Sequence, residues 1–263
     1  MNYSDIKFFV NDQGVAFLTL NRPSVLNSFR LEMSVECQAA LEECGRSTQV
    51  RAVVLTGEGR AFCAGQDLSV LDYSAGKTPD LESIVRQTYN PLIASIQAIE
   101  KPVIAYVNGV AAGAGVNLAL NCDVVIACES ASFVQAFGQV GLIPDSGGTY
   151  ILPRLIGEAR AKALMITGEK LTATQAETWG MIYKALPDEQ ARGYVEDFAA
   201  KLASSATFSI SCVKRALKVS WGNTLEDQLN LEAVLQGEAG RTDDHQEGVV
   251  AFLEKRKARF QGR

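Results

Sequence analysis

A chain of 263 residues, 47% of them apolar, is long enough to bury one large core or a core with a small appendage. Its net charge of −5 argues against general binding to nucleic acid or to an anionic membrane. No apolar run approaches the ~20 residues of a membrane span, and the opening MNYSDIKFFV lacks the basic-then-apolar pattern of an export signal.

In chain order, IKFFV and VAFLTL flank NDQG and predict a β-hairpin. NRPSVLNS reads as a loop. From Phe29 to Cys44 the residues Met33, Cys37, Ala40, Leu41 and Cys44 recur at helical spacing. RAVVLT is the next strand, and GEGRAFCAGQDL a glycine-punctuated loop after it. Residues 69–80 mix acid, glycine, lysine and proline and are expected to be mobile. Val85, Tyr89, Leu92, Ile93, Ile96 and Ile99 mark a second amphipathic helix. PVIAYV and VVIAC are strands around NGVAAGAGVNLAL, where small residues precede a helical pattern. In FVQAFGQVGLIPDSGGTY an aspartate stands before a Gly-Gly pair at a helix start.

Beyond Gly148 the patterns are mostly helical: GEARAKALMIT, TATQAETWG, residues 189–203, ATFSISCVKRALKV, TLEDQLNLEAVLQ and the run 243–260. Thr172 and Gln175 have capping-box spacing. Only MIYKAL suggests another strand. The class is therefore α/β, a βαβ core with a helical C-terminal extension. Cys37, Cys44, Cys63, Cys122, Cys128 and Cys212 are scattered without a CxxC pair and read as reduced core residues of a cytoplasmic protein.

Several chemistries are poorly supplied. Gly113-Ala-Gly115 begins a dinucleotide fingerprint, but its sixth position is Leu118 and no ribose-binding acid follows. His245 is the single histidine, and there is no GxSxG elbow for a hydrolase. No grouping has metal-ligand spacing, so no metal and no cofactor are expected. What remains is carbonyl chemistry run by main-chain amides. FCAGQDL and AAGAGVN each follow a buried strand, with small residues where a ligand can approach the backbone. Two tight turns with glycine at positive φ would give the same pattern, and spacing alone favours that reading.

FCAGQDL, KPVIAYVNGVAAGAGVNLALNCDVVIA, GLIPDSGGTYILPRLIG, LTATQAETWGMI and EGVVAFLEKRKARF resemble, in order and over nearly the whole chain, the enoyl-CoA hydratase/isomerase (crotonase) superfamily. The resemblance implies a crotonase-like spiral of ββα units over residues 1–200 and a helical C-terminal region, 201–263, used for trimer or hexamer formation. It implies an acyl-CoA substrate whose thioester oxygen lies between the backbone N–H groups of Gln66 and Ala114. Ala64, Asp67, Leu68 and Phe137 become substrate-binding positions, Lys257 a contact to CoA phosphate, and Arg22 a second candidate for that role.

The departures from the family pattern are specific. Hydratases of the family carry glutamates at the positions of Asn117 and Phe137, and usually glycine where Asp145 stands. Loss of both acids argues against ordinary hydration. The segments are most similar to those of relatives that isomerise ring-1,2-epoxyphenylacetyl-CoA to oxepin-CoA or shift a 3,4 double bond to 2,3. By that resemblance Asp145 is the catalytic acid and Asn117 its neutral partner. From the residues alone Asp145 reads first as an N-cap, and Asn117 as a buried polar residue bonded to a neighbouring carbonyl. The alternatives are a hydratase-like enzyme, a dehalogenase-like enzyme with Asp145 as nucleophile, and a non-catalytic relative that binds acyl-CoA or RNA.

Overall fold

Three segments of the first half, each opening on a hydrophobic run, supply one strand to each of two sheets. The computed structural model describes residues 3–74 and 76–263. Strands β1 (Ile6–Val10) and β2 (Val15–Leu20) form the predicted hairpin. Then β3 (Ala52–Gly57), β5 (Val103–Val107) and β7 (Val124–Cys128) join β2 in parallel, and β10 (Lys184–Leu186) closes a six-stranded sheet. Between them β4 (Ala61–Cys63), β6 (Val110–Ala112) and β8 (Ser132–Val134) align in parallel, with β9 (Lys170–Thr172) antiparallel at the edge, in a second sheet of four. The pairs β3–β4, β5–β6 and β7–β8 are successive turns of a spiral.

The helices are α1 (Leu31–Arg46), α2 (Leu81–Ile84), α3 (Asn90–Ala98), α4 (Ala114–Leu120), α5 (Gly148–Ile156), α6 (Glu158–Thr167), α7 (Ala173–Thr178), α8 (Asp188–Ala203), α9 (Thr207–Ser220), α10 (Leu225–Ala239) and α11 (Asp243–Leu253). Strands β3 and β5 are buried along their whole length. They have α8 across them, which explains their unbroken apolar runs. Helix α4 packs against β4 and β6 on one side and β5 and β7 on the other. All seven of its residues are buried. The predicted face of α1 is buried at Met33, Cys37, Ala40, Leu41 and Cys44. The six cysteines are buried free thiols, and the capping box at Thr172 and Gln175 is formed.

Three expectations are corrected. The stretches read as glycine-rich loops contain β4 and β6, three residues each and too short to show a period. The second amphipathic helix is interrupted by a π turn, Val85–Tyr89, where the Asn90 N–H reaches Val85 O five residues back. Pro91 follows it without an N–H to give. The last helix stops at Leu253 rather than 260, because buried Asp244 accepts from the Gln261 and Gly262 amides and folds the tail back. Within residues 69–80 Asp72 accepts from Ser74 and Lys77 in an exposed turn, which does not bear on the expected mobility, and Ala75 lies outside the described residues.

Candidate active site

Parallel strands deliver their C-terminal ends to one edge of a sheet, and in open α/β sheets that edge is where ligands bind. In the small sheet Cys63 pairs with Ala111 and Ala111 with Phe133. The residues immediately beyond this row are Ala64 to Asp67, Gly113 with Ala114, and Gln135 to Phe137. Three turns of the spiral therefore bring the sequence-predicted loops together.

The first loop is held by residues 26–29. Asn27, fully buried at a positive φ, donates to Glu58 O and Ala61 O. Ala64 N–H then donates to Leu26 O, Phe29 N–H to Gly65 O at 2.7 Å, and Asp67 N–H to Phe29 O at 2.8 Å. Because the Gly65 carbonyl turns toward Phe29, the trans peptide sends the Gln66 N–H to the opposite side. In the second loop the Gly113 carbonyl accepts from Val116 N–H. The Ala114 N–H, first in its helix, is correspondingly turned outward. A Cβ on Gly65 would stand 3.0 Å from Ala112 O and 3.5 Å from Ala114 N, so the two loops touch. Gly65 and Gly113 both have positive φ, 87° and 53°, which a side chain would strain.

Asp145 is half-buried beside this edge. Burial raises its carboxyl above the ordinary aspartate range, and the bond from Ser146 Oγ, 2.8 Å to Oδ1, partly opposes that. The carboxylate caps no helix: the N-cap of α5 is Gly147, and it is the main-chain carbonyl of Asp145 that accepts from Gly148 N–H. The same carbonyl accepts from Asn117 Nδ2 at 2.9 Å, while Asn117 Oδ1 accepts from Gln135 Nε2 at 2.8 Å. Asn117 is completely buried and both ends of its amide are occupied by protein. Gln135 Oε1 is a buried acceptor with no partner among the described residues. Phe137 is buried, and its ring lies 3.9 Å from where a Cβ on Gly113 would be.

Other predicted residues fall differently. Asp67 is buried and committed to protein, accepting from Arg22 Nη2 at 2.9 Å and from Ser69. Burial pushes its carboxyl up, but those bonds pull it below the ordinary value. Arg22 also donates to Ser28 O, so as a phosphate contact it is already spent on the fold. Leu68 is exposed and Ala64 partly exposed at the mouth of the loop. Lys257 is exposed and lines a separate groove with Arg51, Asp243, Glu247 and Arg259. His245 is exposed on α11. Two site residues were not singled out from sequence. Gln135 carries no local signal, and Tyr89 read as a core residue, although its hydroxyl donates to Gln66 Oε1 at 2.7 Å.

Two outward main-chain donors and a half-buried acid, on neighbouring turns of the spiral, are groups of the kind that polarise a carbonyl and move a proton. The enoyl-CoA hydratase/isomerase family model matches residues 11–263, and the chain belongs to that family. It is 47% identical to 1,2-epoxyphenylacetyl-CoA isomerase of Escherichia coli, over 96% of this chain and 97% of that one. It is 46% identical, over the full length of both, to a Rhodobacter capsulatus protein described as "Probable enoyl-CoA hydratase". The crystal structure of an enoyl-CoA hydratase from Bacillus anthracis superposes with a TM-score of 0.92 at 33% identity, covering 99% of this chain and all of that one. The fold is crotonase-like.

Proposed function

We propose that the protein is a CoA-thioester isomerase in which Asp145 moves a proton between carbons. The Gln66 and Ala114 N–H groups hold the charge on the thioester oxygen. In a 3-enoyl-CoA, Asp145 removes a proton from C2, and the electron pair spreads into a dienolate whose charge collects on the oxygen. The protonated carboxyl then returns the proton at C4, giving the 2-enoyl thioester. Each main-chain donor contributes about 3–4 kcal/mol to that transition state. Ring-1,2-epoxyphenylacetyl-CoA to oxepin-CoA is the second reaction proposed; as an electronic rearrangement it asks less of the carboxylate. Phe137 forms a dry wall that strengthens the donors.

The observation that carries this reading is the single acid. By the motif resemblance Asn117 and Phe137 stand where the family's hydratases carry glutamates, and the Asn117 amide is tied to Asp145 O and Gln135, which leaves no pair of carboxylates at those positions to manage an attacking water. Asn117 thus acts by positioning Asp145. Assaying purified protein on 3-enoyl-CoA, on ring-1,2-epoxyphenylacetyl-CoA and on 2-enoyl-CoA plus water tests it. Isomerase turnover with little hydration is expected, and efficient hydration with no isomerisation overturns it.

The rest of the assignment follows the same reading. Among the described residues no group of three or more His, Cys, Asp and Glu is arranged to hold a metal. Activity is expected without metal or cofactor, and to survive exhaustive EDTA treatment. Among the described residues no helix is long and apolar enough to cross a membrane; a cytoplasmic location without nucleic-acid or membrane partners is proposed. The region 201–263 exposes Leu217, Leu225, Leu229, Phe252 and Leu253, the phenylalanine by 83%. That apolar surface supports burial between copies in a homotrimer or homohexamer. A monomer in light scattering at micromolar concentration contradicts this.

A further inference from the structure

Tyr89 closes a circuit of contacts around the Gln66 loop. Its ring packs against Phe29 at 5.9 Å between centroids, and its hydroxyl donates to Gln66 Oε1 at 2.7 Å. Gln66 Nε2 in turn donates to Asp67 O at 3.2 Å, and the Phe29 main chain holds Gly65 and Asp67 on either side. The peptide carrying the Gln66 N–H is therefore gripped from its backbone and from the end of its side chain. The π turn carrying Tyr89 is itself fixed, since buried Ser34 donates to Thr88 O at 2.6 Å. At 4% exposure the phenol stays protonated: burial raises its pKa well above the usual value, and the Asp145 carboxylate raises it further.

Oxyanion donors work by being aimed before charge develops, and a displacement of about 1 Å costs on the order of 100-fold in rate. The Gln66 N–H sits in a segment joined to its neighbours by an isolated bridge rather than a strand ladder, so its aim needs a further restraint. We infer that Tyr89 is a positioning residue for the thioester-oxygen donor: its hydroxyl, through the Gln66 side chain, fixes the orientation of the Gln66 N–H. This rests on the proposed role of Gln66 and Ala114.

The test uses Tyr89→Phe, which keeps the ring and removes only the hydroxyl, together with Gln66→Ala and the double variant. The readout is the stretching frequency of a ¹³C-labelled thioester carbonyl in bound 2-enoyl-CoA, measured beside kcat, product Kd and Tm. In the native protein the frequency is expected to fall relative to free ligand. In Tyr89→Phe the displacement shrinks and kcat drops about 10- to 100-fold, with Kd and Tm unchanged. Gln66→Ala gives the same loss of displacement and kcat, with a lower Tm because the buried Tyr89 hydroxyl is stranded, and the double variant is no worse in kcat than either, because both cut one connection. If Tyr89→Phe keeps the full displacement and kcat, whatever its Tm, or if the two effects multiply, Tyr89 is packing only and the inference falls. If the native protein shows no displacement, the donors are elsewhere, and the proposed oxyanion site falls with it.

Discussion

Asn117 and Asp145 are joined through the backbone of the acid, Nδ2 to main-chain O at 2.9 Å, and not through its carboxylate. The amide fixes where the acid stands while leaving its reactive oxygens to Ser146 and to a ligand. Position and reactivity are thus controlled by separate atoms, and substitutions at the two sites have different signatures.

Asp145→Asn removes the base and keeps the shape. The kcat for 3-enoyl to 2-enoyl-CoA isomerisation should fall about 10²–10⁴-fold, the range for a positioned general base. Because no helix N–H depends on the carboxylate, Tm should hold. Turnover near native, with a Tm several degrees lower, would return the residue to a structural role.

Asn117→Ala strands the Gln135 Nε2 group in the interior and leaves the Asp145 carbonyl with the Gly148 N–H alone. Stranding such groups costs about 1–3 kcal/mol, read in thermal melting as about 2–4 °C per kcal/mol. Activity should fall less than in Asp145→Asn, since the base remains. An unchanged Tm would show that the amide bonds contribute nothing.

The raised pKa of Asp145 gives two pH dependences. The base must be ionised, so the acid limb of kcat/KM should have its midpoint above the ordinary aspartate value of about 3.9. For stability the sign reverses. Between the ordinary value and the raised one the folded chain holds the proton that the unfolded chain has released. The contribution of Asp145 is then fully present below the unfolded pKa and lost as pH rises through the folded one. Urea unfolding should find Asp145→Asn at least as stable as native protein at pH 7, with the difference shifting against the variant as pH falls through that window. A difference independent of pH contradicts this.

Arg22→Met leaves Asp67 charged and buried without its cation, at a cost on the order of 3 kcal/mol. Arg22→Met with Asp67→Leu should recover much of it. Affinity for CoA should be unaffected in whatever fraction stays folded. Weaker CoA binding at unchanged stability would reinstate Arg22 as a ligand contact.

The large sheet was legible in the sequence because β3, β5 and β7 are buried apolar runs. The small sheet was not: β4, β6, β8 and β9 have three residues each, several of them small. Loops and acid were found as motifs, but Ser-Gly-Gly after Asp145 reads as a cap until Ser146 and Gly147 are seen, both at positive φ, with Gly147 taking the cap position. The π turn left one trace, Pro91. Arg22 looked available because the charge of Asp67 lies 45 residues away in the chain and becomes its neighbour only when the loops close.

The packing of Asn117 under Gly148 also bears on how such a site changes over evolution. A Cβ on Gly148 would lie 2.3 Å from Asn117 Nδ2, so neither position can grow while the other stays as it is. A glutamate at 117 would be longer than the asparagine and, when ionised, have no N–H for the Asp145 carbonyl. Passage between this one-acid site and a two-glutamate site is therefore epistatic. The segment 145–148 must be remodelled before or together with position 117, and the reverse order runs through a strained intermediate that selection for folding would remove.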